Sequence, residues 1–328
     1  MTVAHPDRAH VLAEPPPSAG LNVRVEPARA LVAPDDVQRP DPPQPPRGEG
    51  DEKPSLQSAP AKNRPTQVSA PVLANLHDGL TNKLHTPVRN GLRDVLAPHG
   101  VVSRRDPQRW TYRVVADSEL KNRGEHDPSG SVTVRQSVHD EATKFVRLVS
   151  AGRGAEVTAE QMRSFRTLLH EELHGHSPDQ GSDVYARFGI TIEEGTSEVV
   201  ARVVMREQFG YDHPSLELAP DGDVRGVYGW RIQKLRNSFV EAFGCDGATA
   251  TRLLEDASLR LMQMPKRVPR MHEAPFLATS EDYARLLAEV ADIPDELHDR
   301  LRVRLPAAGV AQAIAQLRGR LYDRLVRM

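Results

Sequence analysis

The amino-acid sequence predicts an α+β fold, mostly helical, behind a disordered, proline-rich amino terminus. Three observations carry that expectation. Fifteen of the 27 prolines lie in residues 1–71, and every aromatic residue lies at or after Trp110. From Trp110 onward two short runs alternate in the manner of strands, and the segments after them carry apolar residues at helical spacing. A stretch without aromatics and dense in proline buries too little apolar area to offset its ordering entropy. Residues 1–71 are therefore read as a disordered tail and residues 72–328 as the folded part. The roughly 255 residues that follow the tail are enough for one substantial core. Within them an α/β portion spans 72–176 and a helical portion spans 177–328.

The elements follow in chain order. PPP at 15–17 and PDPPQPP at 40–46 favour extended polyproline II backbone, as expected of a linker or of a tail that docks a partner. Thr86 and Pro87 read as a helix cap and first position ahead of VRNGLRDVL. WTYRVVAD (110–117) and SVTVRQSV (131–138) read as strands, separated by a stretch ending in DPSG. Thr158 and Gln161 form a possible capping box, followed by Met162, Phe165, Leu169 and Leu173 at helical spacing and closed by Gly175. A second helix is expected from Thr191 to Gln208, stopped by Gly210. Further helices are expected over 226–243, 247–263, 280–290 and 310–327, the last with Val310, Ile314, Leu317, Leu321 and Leu325 on one stripe.

Composition excludes several classes. No run of about 18 apolar residues exists, so no membrane-spanning helix and no membrane partner is expected. The amino terminus lacks a continuous apolar segment, which points to a cytoplasmic protein or to export without a classical signal peptide. Cys245 is the single cysteine, which rules out an internal disulfide and any multi-thiolate zinc site, and its apolar context suits a small core residue. A net charge of −2 gives no bulk attraction for nucleic acid. The arginines at 300, 302, 304, 318, 320, 324 and 327 interleave with apolar positions as a solvated helix face does.

Chemistry concentrates at His170-Glu171-Glu172-Leu173-His174, an HExxH motif. Residues four apart on a helix share a face, so both imidazoles can reach one metal ion. Glu171, a third of a turn away, can hold its carboxylate beside the metal and close to bound water. A catalytic zinc takes three protein ligands plus water, so a third ligand must come from another element. The next helix opens Ile192-Glu193-Glu194-Gly195-Thr196-Ser197-Glu198, with Glu194 twenty residues after His174 and Glu198 one turn further.

This arrangement resembles the gluzincin metallopeptidases, the superfamily of thermolysin and aminopeptidase N. There a glutamate ligand, often followed by glycine, opens the helix after HExxH, and thermolysin-like members place a supporting acid four residues later. The resemblance covers residues 158–245. It implies a zincin-like core, in which a small β-sheet and the active-site helix precede a helical carboxy-terminal subdomain. It further implies one Zn²⁺ per chain held by His170, His174 and Glu194, with Glu198 fixing the first imidazole and Glu171 as the base. YGWRIQKLRNSFVEAFG (228–244) is similar to a segment that carries an oxyanion-stabilising tyrosine, which makes Tyr228 the candidate, with Tyr185 in competition. By the same resemblance SVTVRQSV would be the edge strand that aligns an extended substrate.

Other assignments stay open at this stage. Glu193 is an adjacent-register alternative for the third ligand, and Asp179 or Asp183 could serve in an aspartate-ligand variant. The metzincin extension fails because Ser177 and Gln180 replace the required glycine and histidine. His176 follows the helix-ending Gly175 and reads as a loop residue, while His213, His272 and His298 are isolated. The expected function is hydrolysis of a peptide or protein substrate by Glu-assisted attack of a zinc-bound water. No aminopeptidase-type GxMEN-like stretch is present, which favours an endopeptidase. The alternatives are a gluzincin-like effector or toxin acting on one target, and a non-catalytic helical interaction module.

Overall fold

A computed structural model describes residues 67–101, 110–126, 131–175, 190–211, 228–263, 280–293 and 295–328. The expectations for residues 1–66, His176, Ser177, Asp179, Gln180, Asp183, Tyr185, His213 and His272 lie outside these residues. Among the described residues the first helix starts at Ala70, two residues before the expected beginning at Val72. Helices α1 (Ala70–Thr81) and α2 (His85–Leu96) pack side by side. The cap of α2 is Leu84, not Thr86, which puts Pro87 at the third position. Proline is tolerated in this first turn because its missing N–H would have no intrahelical acceptor there.

Among the described residues three strands follow, β1 (Thr111–Val115), β2 (Gly124–His126) and β3 (Ser131–Arg135), in the spatial order β1-β3-β2. β3 pairs parallel with β1 and antiparallel with β2. This corrects the expectation for SVTVRQSV. Its first half is the central strand, with Val132 and Val134 fully buried, and its second half opens helix α3 (Gln136–Ser150). Val138, Ala142, Phe145, Val146 and Val149 recur at helical spacing along α3 and are buried. The edge beside the HExxH helix is β2, a segment without a β-branched residue that reads as loop.

Helix α4 (Ala159–His174) starts at the expected capping box. Thr158 N–H donates to Gln161 Oε1 at 2.9 Å, and Gln161 N–H donates to Thr158 Oγ1 at 3.2 Å. Gly175 caps its end in right-handed backbone, with φ −67°. Helix α5 (Ile190–Phe209) ends at Gly210, whose φ of 71° is the left-handed conformation that glycine adopts without Cβ strain. α6 (Gly229–Phe243), α7 (Gly247–Gln263), α8 (Ser280–Val290), α9 (Asp295–Arg304) and α10 (Ala307–Val326) are the remaining helices among the described residues. α9 was not expected from the sequence, since only Leu297 and Leu301 give it an apolar side. The α10 stripe packs as expected, with Val310, Leu317, Leu321 and Leu325 buried. No helix among the described residues is long and apolar enough to cross a membrane.

Two apolar clusters hold these elements. One gathers α1–α4, the sheet and part of α5 around Phe145, which stacks on Phe165 at 4.6 Å and meets Phe209 edge-on at 5.3 Å. The other gathers α6, α7, α8 and α10. α5 belongs to both, giving Val200, Ala201, Val204 and Met205 to the first and Ile192 and Val199 to the second. Buried on opposite sides, α5 has little freedom to rotate, and the acids at its amino-terminal end are fixed in direction. Half-buried Cys245 packs against the second cluster, as expected for a small core residue.

One buried titratable pair in the first cluster makes a testable statement about stability. His139 Nδ1 lies 2.9 Å from the Tyr112 hydroxyl, and burial, helped by Lys83, holds this imidazole below its ordinary value. The unfolded chain takes up a proton near pH 6.5 that the native state resists, so this contribution is lost as pH falls through that value. The urea midpoint of His139→Asn should therefore fall less steeply than the parent's between pH 7 and pH 5. Parallel slopes would show that His139 contributes no such linkage.

Candidate metal centre

α4 and α5 face each other through rows of charged side chains at one-turn spacing. Arg166, His170 and His174 lie along α4, and Glu194, Glu198 and Arg202 lie along α5. His170 Nε2 is 3.0 Å from Glu194 Oε2, His174 Nε2 is 3.1 Å from His170 Nε2, and His174 Nε2 is 3.6 Å from Glu194 Oε2. His170, His174 and Glu194 are the group of ligand-type side chains that converges on one point among the described residues.

Donor chemistry and spacing both fit zinc. Four tetrahedral ligands at bond lengths of about 2.0–2.1 Å stand about 3.3 Å apart, and the three separations here bracket that value. His174 Nδ1 lies 2.9 Å from Glu193 Oε1. His170 Nδ1 lies 3.4 Å from Glu198 Oε2, a longer and less aligned contact. When the Nδ1 hydrogens face these carboxylates, both Nε2 atoms carry lone pairs that meet each other and the Glu194 oxygen. A cation between them converts that repulsion into coordination. This is the HExxH-plus-downstream-glutamate zinc-binding arrangement of the gluzincin type, and three protein donors are the number that catalytic zinc sites use beside a water.

The local electrostatics favour positive charge at the same point. Burial opposes a charged imidazole at His170, yet the carboxylates of Glu194 and Glu198 raise it to about 9. His174 is raised well above its ordinary value in the same way, by Glu194 and Glu193 against burial. Burial would lift Glu194, but His174 and His170 hold it far below the usual carboxylate range. Glu198 is likewise held low against burial, by Arg166 and Arg202. Glu171 differs, because burial pushes its carboxyl up and the two histidines only partly oppose this.

Close backbone approach explains two glycines at the site. A Cβ on Gly195 would lie 2.4 Å from Leu235 Cδ1, so the glycine after Glu194 lets α6 pack directly on α5. A Cβ on Gly124 would lie 2.8 Å from Glu171 Oε1, so the edge strand β2 passes immediately beside that carboxylate. Tyr228, the cap residue of α6, stacks on the His170 ring at 4.6 Å. Burial, with the nearby Glu194, Glu171 and Glu198, raises its phenol far above the ordinary value and keeps it protonated.

His170, Glu171, His174, Glu194, Glu198 and Tyr228 are thus brought together, while Glu193 turns to the far nitrogen of His174 instead of the ligand position. Several neighbours of the site are not expected from the sequence. His126 on β2 stacks on His174 at 5.4 Å, and Arg231 Nη1 lies 3.6 Å from Glu194 Oε2. Glu172 accepts from Trp110 Nε1 at 2.6 Å and from Arg93 Nε at 3.4 Å, which ties α4 to the strand region and α2. Arg166 and Arg202 flank Glu198. A four-residue repeat in the sequence signals these two arginines; His126 and Arg231 carry no local signal.

No family model matches the chain, and comparison with curated proteins and solved structures gives no match. The metal assignment therefore stands on geometry and donor chemistry. His174→Ala and Glu194→Ala should each lose stoichiometric zinc, measured by elemental analysis after dialysis. Glu193→Gln should retain zinc with an affinity about 10–100-fold weaker, the range for residues that support a ligand. Zinc kept by Glu194→Ala and lost by Glu193→Gln would exchange the two roles.

Proposed function

We propose that the chain is a zinc endopeptidase acting on an extended peptide or protein segment, with the residues from about 72 onward as its metallopeptidase domain. The observation that carries this reading is the convergence of His170, His174 and Glu194 within coordination spacing, with Glu171 on the same helix. His170, His174 and Glu194 would hold one Zn²⁺, which when bound polarises a carbonyl and makes water a nucleophile near neutral pH.

The remaining work falls to this chain's own side chains. Glu171, buried and shielded by Gly124, accepts the proton of the attacking water and returns it to the departing amine. Tyr228, protonated and adjacent to His170, donates to the scissile carbonyl oxygen as that oxygen gains charge. Among the described residues β2 pairs on one side only, and it runs past both Glu171 and His174. An extended peptide added to the open side of β2 would have its backbone aligned beside these groups. This supports a peptide substrate, with β2 taking the role that the sequence suggested for SVTVRQSV.

Two variants test the assignment. Glu171→Gln should keep near-stoichiometric zinc and lose peptide hydrolysis in a fluorogenic peptide-library assay; retained hydrolysis would remove Glu171 as the base. Tyr228→Phe should lower kcat about 10²-fold with KM little changed, the effect of losing one donor to a developing oxyanion. An unchanged kcat would assign that role elsewhere.

A further inference from the structure

Glu198 sits between two guanidinium groups as well as beside a metal-ligand imidazole. Arg166 Nε lies 3.1 Å from Glu198 Oε1, and Arg202 Nε donates to the same oxygen at 2.9 Å. The other oxygen, Oε2, faces His170 Nδ1 at 3.4 Å. All four residues are buried, with Glu198 only 1% exposed. We propose that Arg166 and Arg202 are positioning residues for the metal: they clamp Glu198 so that His170 presents Nε2 to zinc. The inference rests on the zinc-ligand reading of His170, His174 and Glu194, but not on the identity of any substrate.

Both guanidinium groups meet Glu198 at one oxygen atom, Oε1. With the Arg202 Nε–H donated to Oε1 and the Arg166 guanidinium paired with the same oxygen, the carboxylate cannot turn about its terminal bond without losing a charge-assisted hydrogen bond and an ion pair. Oε2 is thereby kept toward Nδ1 as an acceptor. An acceptor there fixes the ring hydrogen on Nδ1 and leaves the Nε2 lone pair for the metal. The two arginines reach Glu198 differently. Arg166 is one turn before His170 on α4, so its contact also ties α4 to α5. Arg202 is one turn after Glu198 on α5, so its contact lies within a single helix. Removing Arg202 therefore loosens the carboxylate while the tie between the helices remains. This separates a positioning role from a general packing role.

The test is a double-mutant cycle read as zinc affinity, by competition with a chromophoric chelator, using the full chain as parent, Arg202→Met, Glu198→Gln and the double variant. Each single variant should weaken zinc binding about 10–100-fold. The double variant should bind as Glu198→Gln does, because Arg202 acts through that carboxylate. Arg202→Lys, which retains a charged donor, should recover part of the loss. If Arg202→Met fails to fold by circular dichroism, Arg202→Gln is read in its place with the same expectation. Parent-like affinity in the arginine variant, or losses that multiply in the double variant, would overturn the clamp alone. A parent chain that binds no zinc would remove the ligand reading and the clamp with it.

Discussion

Burying charged side chains between two helices costs several kcal/mol per ion unless each finds partners, and the α4–α5 interface is organised around that constraint. His170, His174, Glu193 and Glu198 are each at most 4% exposed, and Arg166 and Arg202 share their interior. Their contacts form a chain from Arg202 and Arg166 through Glu198 to His170, then through Glu194 to His174 and Glu193. In the middle of it, two imidazole nitrogens and a carboxylate oxygen point at one another. An interior that brings three electron-pair donors together, backed by acids on the far sides of both rings, is built to receive a cation.

Packing elsewhere serves this interface. The Phe145–Phe165–Phe209 cluster fixes α3, α4 and α5 on one side, and α6 closes on α5 from the other where Gly195 leaves space for Leu235. Because α5 contributes to both apolar clusters, the direction in which Glu194 and Glu198 point is set by two independent cores. The same approach of α6 delivers Tyr228 to the face of His170, and β2 brings His126 to the face of His174. Both imidazoles are therefore covered on a face and have a carboxylate beside Nδ1, which restricts their rotation.

The parts of this arrangement that depend on local geometry were legible in the sequence. One-turn spacing places His170 and His174 on a common face, and the capping box at Thr158 and Gln161 sets where that helix begins. Adjacent acids on α5 point about 100° apart, so the choice between Glu193 and Glu194 depends on how the helix is rotated against its neighbours. In the sequence, the glycine after Glu194 and the acid four residues on favoured Glu194 by the gluzincin resemblance; in the structure that glycine lies at the contact with α6. Strand order is a nonlocal property, and SVTVRQSV carried nothing to say that β3 would be central. Its final three residues were read as strand because they continue an alternating run, although Val138, Ala142 and Phe145 already begin a helical period. β2, with the sequence Gly-Glu-His, has no strand signal of its own and is defined by its pairing with β3 and its position over Glu171.

The central claim is that two imidazoles and one carboxylate share a single divalent ion, and X-ray absorption at the zinc edge tests it directly. The account predicts a light-atom shell at about 2.0–2.2 Å that contains the scattering pattern of two imidazole rings, with the remaining positions filled by oxygen. A sulfur contribution near 2.3 Å, or a shell with three or more imidazoles, would contradict it.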